Sequence, residues 1–280
     1  MQERILMCEP DYFEVSYVIN PWMKGNIAHA DRALARRQWT QLVERLGEVA
    51  VVERLAGVEG VPDMVFTANA GVVLGRKCVL SRFRHAERQP EESHFARWFE
   101  SNGFDVLHLP EDVMFEGAGD ALLDRALPLL WLGHGHRSDA ACAPFLQDWL
   151  DIDVEPLRLV DDRFYHLDTC FCPLEGGYLM YCPAAFDAAS RALIAERVPA
   201  ALRIPVDEED ATAFACNAVN VGKDVFLNAA SPRLASSLRS HGFRVHLTTL
   251  GEFIKAGGAA KCLTLRLTEV AGAQVAVKAA

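Results

Sequence analysis

The chain of 280 residues has no apolar stretch approaching the ~20 residues that cross a bilayer; its longer apolar runs, such as Leu127–Leu132, stop far short. Its opening residues, Met1 to Met7, lack the long apolar core of a signal peptide, so no leader is expected. No Pro/Gly/Ser-rich linker, charge block or low-complexity tract interrupts it, and its composition does not shift between halves. One domain over residues 1–280 is therefore expected. Basic residues are also scarce: 28 Lys and Arg against 38 Asp and Glu give a formal charge of -10, a field that repels nucleic acid and anionic lipid. The expected partner is a small molecule, with neither nucleic acid nor membrane, and a homo-oligomer is compatible with the composition.

Cysteine is present without a framework. Cys8, Cys78, Cys142, Cys170, Cys172, Cys182, Cys216 and Cys262 are scattered, which suits a reducing cytoplasm better than a disulfide scaffold. Cys170 and Cys172 flank Phe171, but no second Cys/His pair at zinc-finger spacing accompanies them, so they read as buried thiols and no metal is expected.

Half of the chain is hydrophobic (51%), and its rhythm alternates in the manner of an α/β protein. Helices are expected near 31–47, 91–102, 139–150, 187–198 (with Asp187 as N-cap) and 233–241. Strands are expected near 49–54, 64–74, 77–83, 104–109, 121–123, 129–132, 154–159, 169–173, 178–182, 201–206, 218–221, 224–227 and 244–248. The recurring unit is strand, strand, helix, strand, with a period of roughly 50 to 65 residues, although its letters do not repeat. Four units are visible. A strand near Glu14–Ile19 joined to one near Cys262–Leu267 would supply a fifth and close a ring around a central channel; an open α/β sandwich has the same periodicity.

Three segments carry chemistry. Phe115–Asp120 sets two acids, Glu116 and Asp120, beside two glycines, which suits either close ligand approach with proton transfer or a solvated turn. His166 and Asp168, among Phe164, Tyr165 and Leu167, would share one face of an extended segment where solvation is difficult. Gly257–Cys262 leads through small residues into a cysteine, either a nucleophile or one more buried strand thiol.

Taken together with Asp63–Asn69, these motifs occur in the order found in the guanidine-modifying enzyme superfamily of amidinotransferases and arginine deiminases. The chain most resembles the arginine dihydrolase domain of cyanobacterial arginine-guanidine-removing enzymes, over Asp11–Gly25, Pro62–Gly71, Phe115–Asp120, Arg163–Pro173, Phe214–Val221 and Lys255–Arg266. The resemblance implies a five-bladed α/β propeller, the pentein fold, with a catalytic Cys262, His166 and Glu116 and no metal or organic cofactor. It implies hydrolysis of L-arginine to L-ornithine, two ammonia and carbon dioxide. The alternatives are a deiminase or dimethylarginine hydrolase that stops at citrulline, and a catalytically silent binding propeller.

Asn69 departs from the deiminase pattern, which has aspartate there. An amide both accepts and donates a hydrogen bond, so it suits a urea-like carbonyl better than a carboxylate does. Asp168, Glu116 and Asn69 are expected around the guanidinium. Arg88 and Arg137 are expected on the α-carboxylate, Asn20 as an amide contact, and Asp120 either on the α-amino group or organising the Glu116 loop.

Overall fold

The computed structural model describes residues 2–270. The first sheet is built from β1 (Arg4–Cys8) and, after α1 (Arg32–Gly47), β2 (Val51–Leu55), which lies parallel to β1. Helix α1 forms because Asp31 caps it, its carboxylate accepting from the Leu34 amide at 2.9 Å, a cap of the kind worth about 1 kcal/mol. Its buried stripe of Ala35, Trp39, Leu42 and Leu46 follows helical spacing.

The next three units repeat one plan. Strands β3 (Gly71–Leu74) and β4 (Lys77–Leu80) form a hairpin, α2 (Pro90–Ser101) crosses over, and β5 (Asp105–Leu107) returns parallel to β4. Strands β6 (Ala121–Leu123) and β7 (Leu129–His134), helix α3 (Ala143–Leu150) and β8 (Asp153–Arg158) do the same. So do β9 (Phe171–Leu174), β10 (Tyr178–Tyr181), α4 (Ala188–Arg197) and β11 (Arg203–Pro205), with Asp187 accepting from the Ser190 amide at the start of α4.

After the short α5 (Glu208–Thr212), strands β12 (Val219–Val221) and β13 (Asp224–Leu227), helix α6 (Pro232–Ser240) and β14 (Arg244–Leu247) complete a fourth such unit. Helix α7 (Gly251–Ile254) then leads to β15 (Leu265–Arg266), which pairs antiparallel with β1. The described residues thus form five three-stranded sheets, and the fifth, β15-β1-β2, unites the two ends of the described chain.

Two expected strands are corrected. Glu14–Ile19 is irregular, and the N-terminal strand of the fifth sheet is Arg4–Cys8, in which Ile5 to Cys8 are all at most 1% exposed. A strand buried on both faces is a continuous apolar run without polar alternation. The strand expected over 64–74 begins only at Gly71; tight helical turns at Pro62–Val65 and Thr67–Ala70 precede it.

Candidate active site

Those turns have counterparts in the other units. The inner strand of each sheet is preceded by a short turn that carries polar groups inward: Asn69 before β3, Glu116 and Asp120 before β6, His166 and Asp168 before β9, Asn217 before β12 and Cys262 before β15. Hydrogen bonds link successive turns. The Asn69 amide donates to the Glu116 carbonyl at 3.2 Å, and His166 Nε2 meets Glu116 Oε2 at 2.7 Å. The Asn217 amide donates to the Asp168 carbonyl and to Cys262 Sγ, both at 3.1 Å, and the Ala68 amide donates to the Cys262 carbonyl at 3.1 Å. The site is a continuous ring of five turns.

Glu116 is fully buried, yet its carboxyl is held well below the usual range. Burial opposes this, but the Arg137 guanidinium 3.0 Å away and the His166 ring outweigh it. Its amide is fixed by Ser138 Oγ at 2.9 Å, and Ser138 is held in turn by Asp120. Asp120 accepts from the Ser138 hydroxyl and from the Leu167 amide, at 2.6 and 3.0 Å, so both of its oxygens organise the Glu116 and His166 turns. Burial raises its pKa to about 6. The pair expected on one extended face is separated: His166 is extended but Asp168 lies in the next turn, so His166 faces Glu116 while Asp168 faces Cys262.

Cys262 Sγ lies 3.5 Å from Asp168 Oδ2. Burial, first, and the Asp168 charge push its pKa up. Asp168 itself is raised to about 7 by burial, against the opposing charge of Lys261. Asn217, absent from the expected set, is the hub beneath the nucleophile. Its Oδ1 accepts from the amides of Ala259 and Cys262, at 3.1 and 3.2 Å, while its Nδ2 donates to Sγ. A sequence signal existed: the linked residues Asp168, Asn217 and Cys262 are 49 and 45 positions apart, one structural unit per step.

A narrow pocket opens beside Cys262, lined by Ile19, Asn20, Asp63, Asn69, Arg88 and Arg137, among others. The two arginines behave differently. Arg88 makes a two-pronged pair with Glu91 (both contacts 2.8 Å) and also donates to Asn69 Oδ1 at 2.9 Å and to the Asp63 carbonyl at 3.1 Å. This spends most of its donors on the wall. Arg137 donates to Glu116 and to the Ile19 carbonyl at 2.7 Å and stacks 4.7 Å from the centre of the Tyr165 ring, leaving its Nε free.

Asn20 caps the turn Pro21–Met23 and donates to the Ala256 carbonyl at 3.0 Å, tying the wall to the segment before Cys262. That approach requires Gly257, at φ +90°, where a Cβ would sit 2.6 Å from Tyr165 Oη. Gly119 is equally constrained, since a Cβ there would collide with Asn69 Nδ2. Asp63 is a second residue the motifs did not single out for the site. Tyr17 donates to its Oδ2 at 3.0 Å, while the buried Oδ1 has no protein partner. Among the described residues no group of three or more His, Cys, Asp or Glu side chains is arranged to hold a metal ion, and no helix is long and apolar enough to cross a membrane.

A family model described as N,N dimethylarginine dimethylhydrolase, eukaryotic, matches residues 10–269. The bifunctional arginine dihydrolase/ornithine cyclodeaminase ArgZ of Synechocystis sp. is 57% identical over 95% of this chain; the match covers 38% of that relative, so the chain spans well under half its length. The N(G),N(G)-dimethylarginine dimethylaminohydrolase of Mycobacterium tuberculosis is 37% identical, over 94% of this chain and 85% of that one. Among solved structures, the cyanobacterial ArgZ N-terminal domain, a cysteine-to-serine variant bound to substrate, superposes with a TM-score of 0.95 at 56% identity, covering 96% of this chain and 99% of that one. With the family model matching nearly its whole length and relatives well above 30% identical, the chain belongs to the dimethylarginine dimethylhydrolase family.

Proposed function

We propose that residues 1–280 form one guanidine-modifying unit, a five-bladed propeller whose blades are the five sheets. It acts as an arginine dihydrolase: L-arginine and two waters give L-ornithine, two ammonia and carbon dioxide. The observation that carries the reading is the polarity of Asn69. Arg88 holds its Oδ1 and one Nδ2 hydrogen is spent on the Glu116 carbonyl, which leaves the second Nδ2 hydrogen as a donor where a deiminase has an acceptor. A ureido oxygen is thereby bound rather than repelled, and citrulline is kept for a second attack. The likeness to ArgZ supports the same activity.

The substrate guanidinium lies between Glu116 and Asp168. Its positive charge draws the Cys262 thiol into the thiolate form, the thiol proton leaving to solvent as the cation binds, while Asp168, 3.5 Å from Sγ, stays ionised against the guanidinium. Thiolate attack on the guanidinium carbon and loss of ammonia leave a thiouronium on Cys262. His166, aligned through Nε2 by Glu116, protonates the leaving nitrogen and then activates water. Hydrolysis gives the ureido compound, and a second round on it gives ornithine. Arg137 takes the α-carboxylate, with Arg88 supporting from the wall, and the unpartnered Asp63 Oδ1 takes the α-ammonium. Asn20 shapes the wall beside the amino-acid end. The chemistry requires no cofactor, and the eight free cysteines suit a reducing cytoplasm.

A second reading, release of citrulline by a dimethylarginine or arginine hydrolase, is favoured by the similarity to the M. tuberculosis enzyme. Incubating the protein with arginine and following citrulline, ornithine and ammonia separates the two. Ornithine with two ammonia supports the dihydrolase; lasting citrulline with one ammonia supports the alternative.

A further inference from the structure

The two hydrolyses of the dihydrolase reading make different demands on Cys262. In the first, the guanidinium is a cation and itself holds the sulfur as thiolate. In the second, the ureido group of citrulline is neutral and supplies no such charge, yet that round needs thiolate at both ends. Thiolate adds to the ureido carbon, forming a C–S bond, and the terminal nitrogen takes a proton from His166 and leaves as ammonia. Water then gives one proton to His166 and adds to the thiocarbamate carbon. The C–S bond breaks, its electron pair returns to sulfur, and the carbamate of ornithine takes up the remaining water proton as it loses carbon dioxide.

Asp168 approaches Sγ from its own turn at 3.5 Å, Lys261 precedes the cysteine in the chain, and Tyr165, Asp63, Arg88 and Arg137 line the pocket beside it. Among the described residues, the one side chain that donates to Sγ is Asn217, whose Nδ2 lies 3.1 Å away. Asn217 is fully buried and all its capacity is used. Its Oδ1 takes the amides of Ala259 and Cys262, and the other Nδ2 hydrogen goes to the Asp168 carbonyl. Two backbone N–H groups at one end are met only by oxygen, which fixes the nitrogen on the sulfur side. The Ala259 amide that Asn217 holds, Asn217 itself and Lys261 are the influences that lower the Cys262 thiol against burial and the Asp168 charge. We infer that Asn217 is a catalytic residue of the second hydrolysis, its Nδ2 holding Sγ as thiolate while the bound substrate is neutral citrulline. This rests on the dihydrolase reading. A hydrogen bond to a charged acceptor is stronger than one to a neutral thiol, so the contact favours thiolate in both rounds, but only in the second does it act without a substrate cation beside it.

The test uses Asn217→Asp, which keeps the volume and the oxygen that the two amides need but replaces the donor to sulfur. Asn217→Ala removes the donor without adding charge, and serves alone if the first variant does not fold. Each is compared with wild type in two ways: the pH dependence of Cys262 alkylation by iodoacetamide without substrate, and the rates of arginine loss and ornithine appearance in single turnovers with enzyme in excess. The midpoint of alkylation should move up by about one pH unit, and ornithine appearance should slow about tenfold more than arginine loss. A variant merely loosened in its fold would lose both hydrolyses together and leave the midpoint in place. A folded variant with an unmoved midpoint, or with both rates reduced equally, would overturn the role of Asn217. Citrulline as the sole product of the wild type would instead overturn the dihydrolase reading itself.

Discussion

Glu116 and Asp168 are both fully buried carboxylates in the same ring of turns, yet they are set up oppositely. Glu116 meets the Arg137 cation and the His166 ring, which hold it ionised. Asp168 faces a neutral thiol and an amide, has Lys261 as its main opposing charge, and sits at a pKa of about 7. One side is preorganised before substrate arrives; the other is completed by the substrate's own charge. The difference teaches that burial alone does not decide a carboxylate's role. The count of cations around it does.

The largest expected effect falls on the Asp168 side. Cys262→Ser should lower kcat by on the order of 10⁴-fold or more while Tm stays nearly constant, since an alcohol in a similar volume lacks thiolate reactivity. Steady-state kinetics with thermal unfolding checks it; an active serine variant would remove the covalent mechanism.

Next comes Glu116→Gln, which should cost activity by about 10²- to 10⁴-fold. It should also destabilise the fold by roughly 3–5 kcal/mol, because it leaves the Arg137 cation buried beside a neutral amide. Asp168→Asn, with no arginine in contact, should destabilise far less, and urea unfolding of the two variants compares them directly.

Arg137→Ala sharpens the comparison at the amino-acid end. It should weaken use of arginine by ~2–5 kcal/mol relative to agmatine, which lacks the carboxylate. Equal losses on both substrates would refute the assignment of Arg137.

The contrast in protonation predicts a pH effect of known sign. Below about pH 7 the Asp168 carboxyl is neutral and binds a cation poorly; above it the anion binds well. Arginine affinity of a Cys262→Ala variant should therefore rise with pH toward 7, by at most about tenfold per unit, and level off above it. Glu116 stays ionised over that range and adds no slope, so Asp168→Asn should reduce the slope measured by calorimetry to what Asp63, also raised by burial, contributes.

Much of this was legible in the sequence, for physical reasons that differ by element. The hairpin-helix-strand rhythm of the four complete units was visible because each helix has a one-sided apolar stripe and each hairpin a short turn. Arg4–Cys8 was missed because a strand buried on both faces has no alternation to read. Cys262, His166 and Glu116 stood out through their glycine-rich or aromatic contexts, whereas Asn217 sits in Ala215–Val219 among residues indistinguishable from core. Its role depends on contacts made 45 and 49 positions away. The unequal roles of Arg88 and Arg137 were likewise invisible, since only Arg88 has a glutamate one helical turn ahead, and whether that pair forms is decided by packing.

The smallest mutational effect, in free energy, is expected at Asn69. Asn69→Asp replaces the Nδ2 donor with a carboxylate and should shift product from ornithine toward citrulline, where a bias of about 1.4 kcal/mol between exits changes their ratio roughly tenfold. Chromatography of the products checks it, and ornithine remaining dominant in an active variant would remove Asn69 as the switch.

The central claim, that one site carries arginine through both hydrolyses without letting go, is tested most directly by isotope dilution. Wild-type protein is given arginine labelled with carbon-13 in its amino-acid chain, together with an excess of unlabelled citrulline, and early ornithine is analysed by mass spectrometry. The account predicts ornithine carrying the label at nearly the arginine enrichment, with little label in the citrulline pool. Label accumulating in free citrulline, with early ornithine unlabelled or absent, would contradict it.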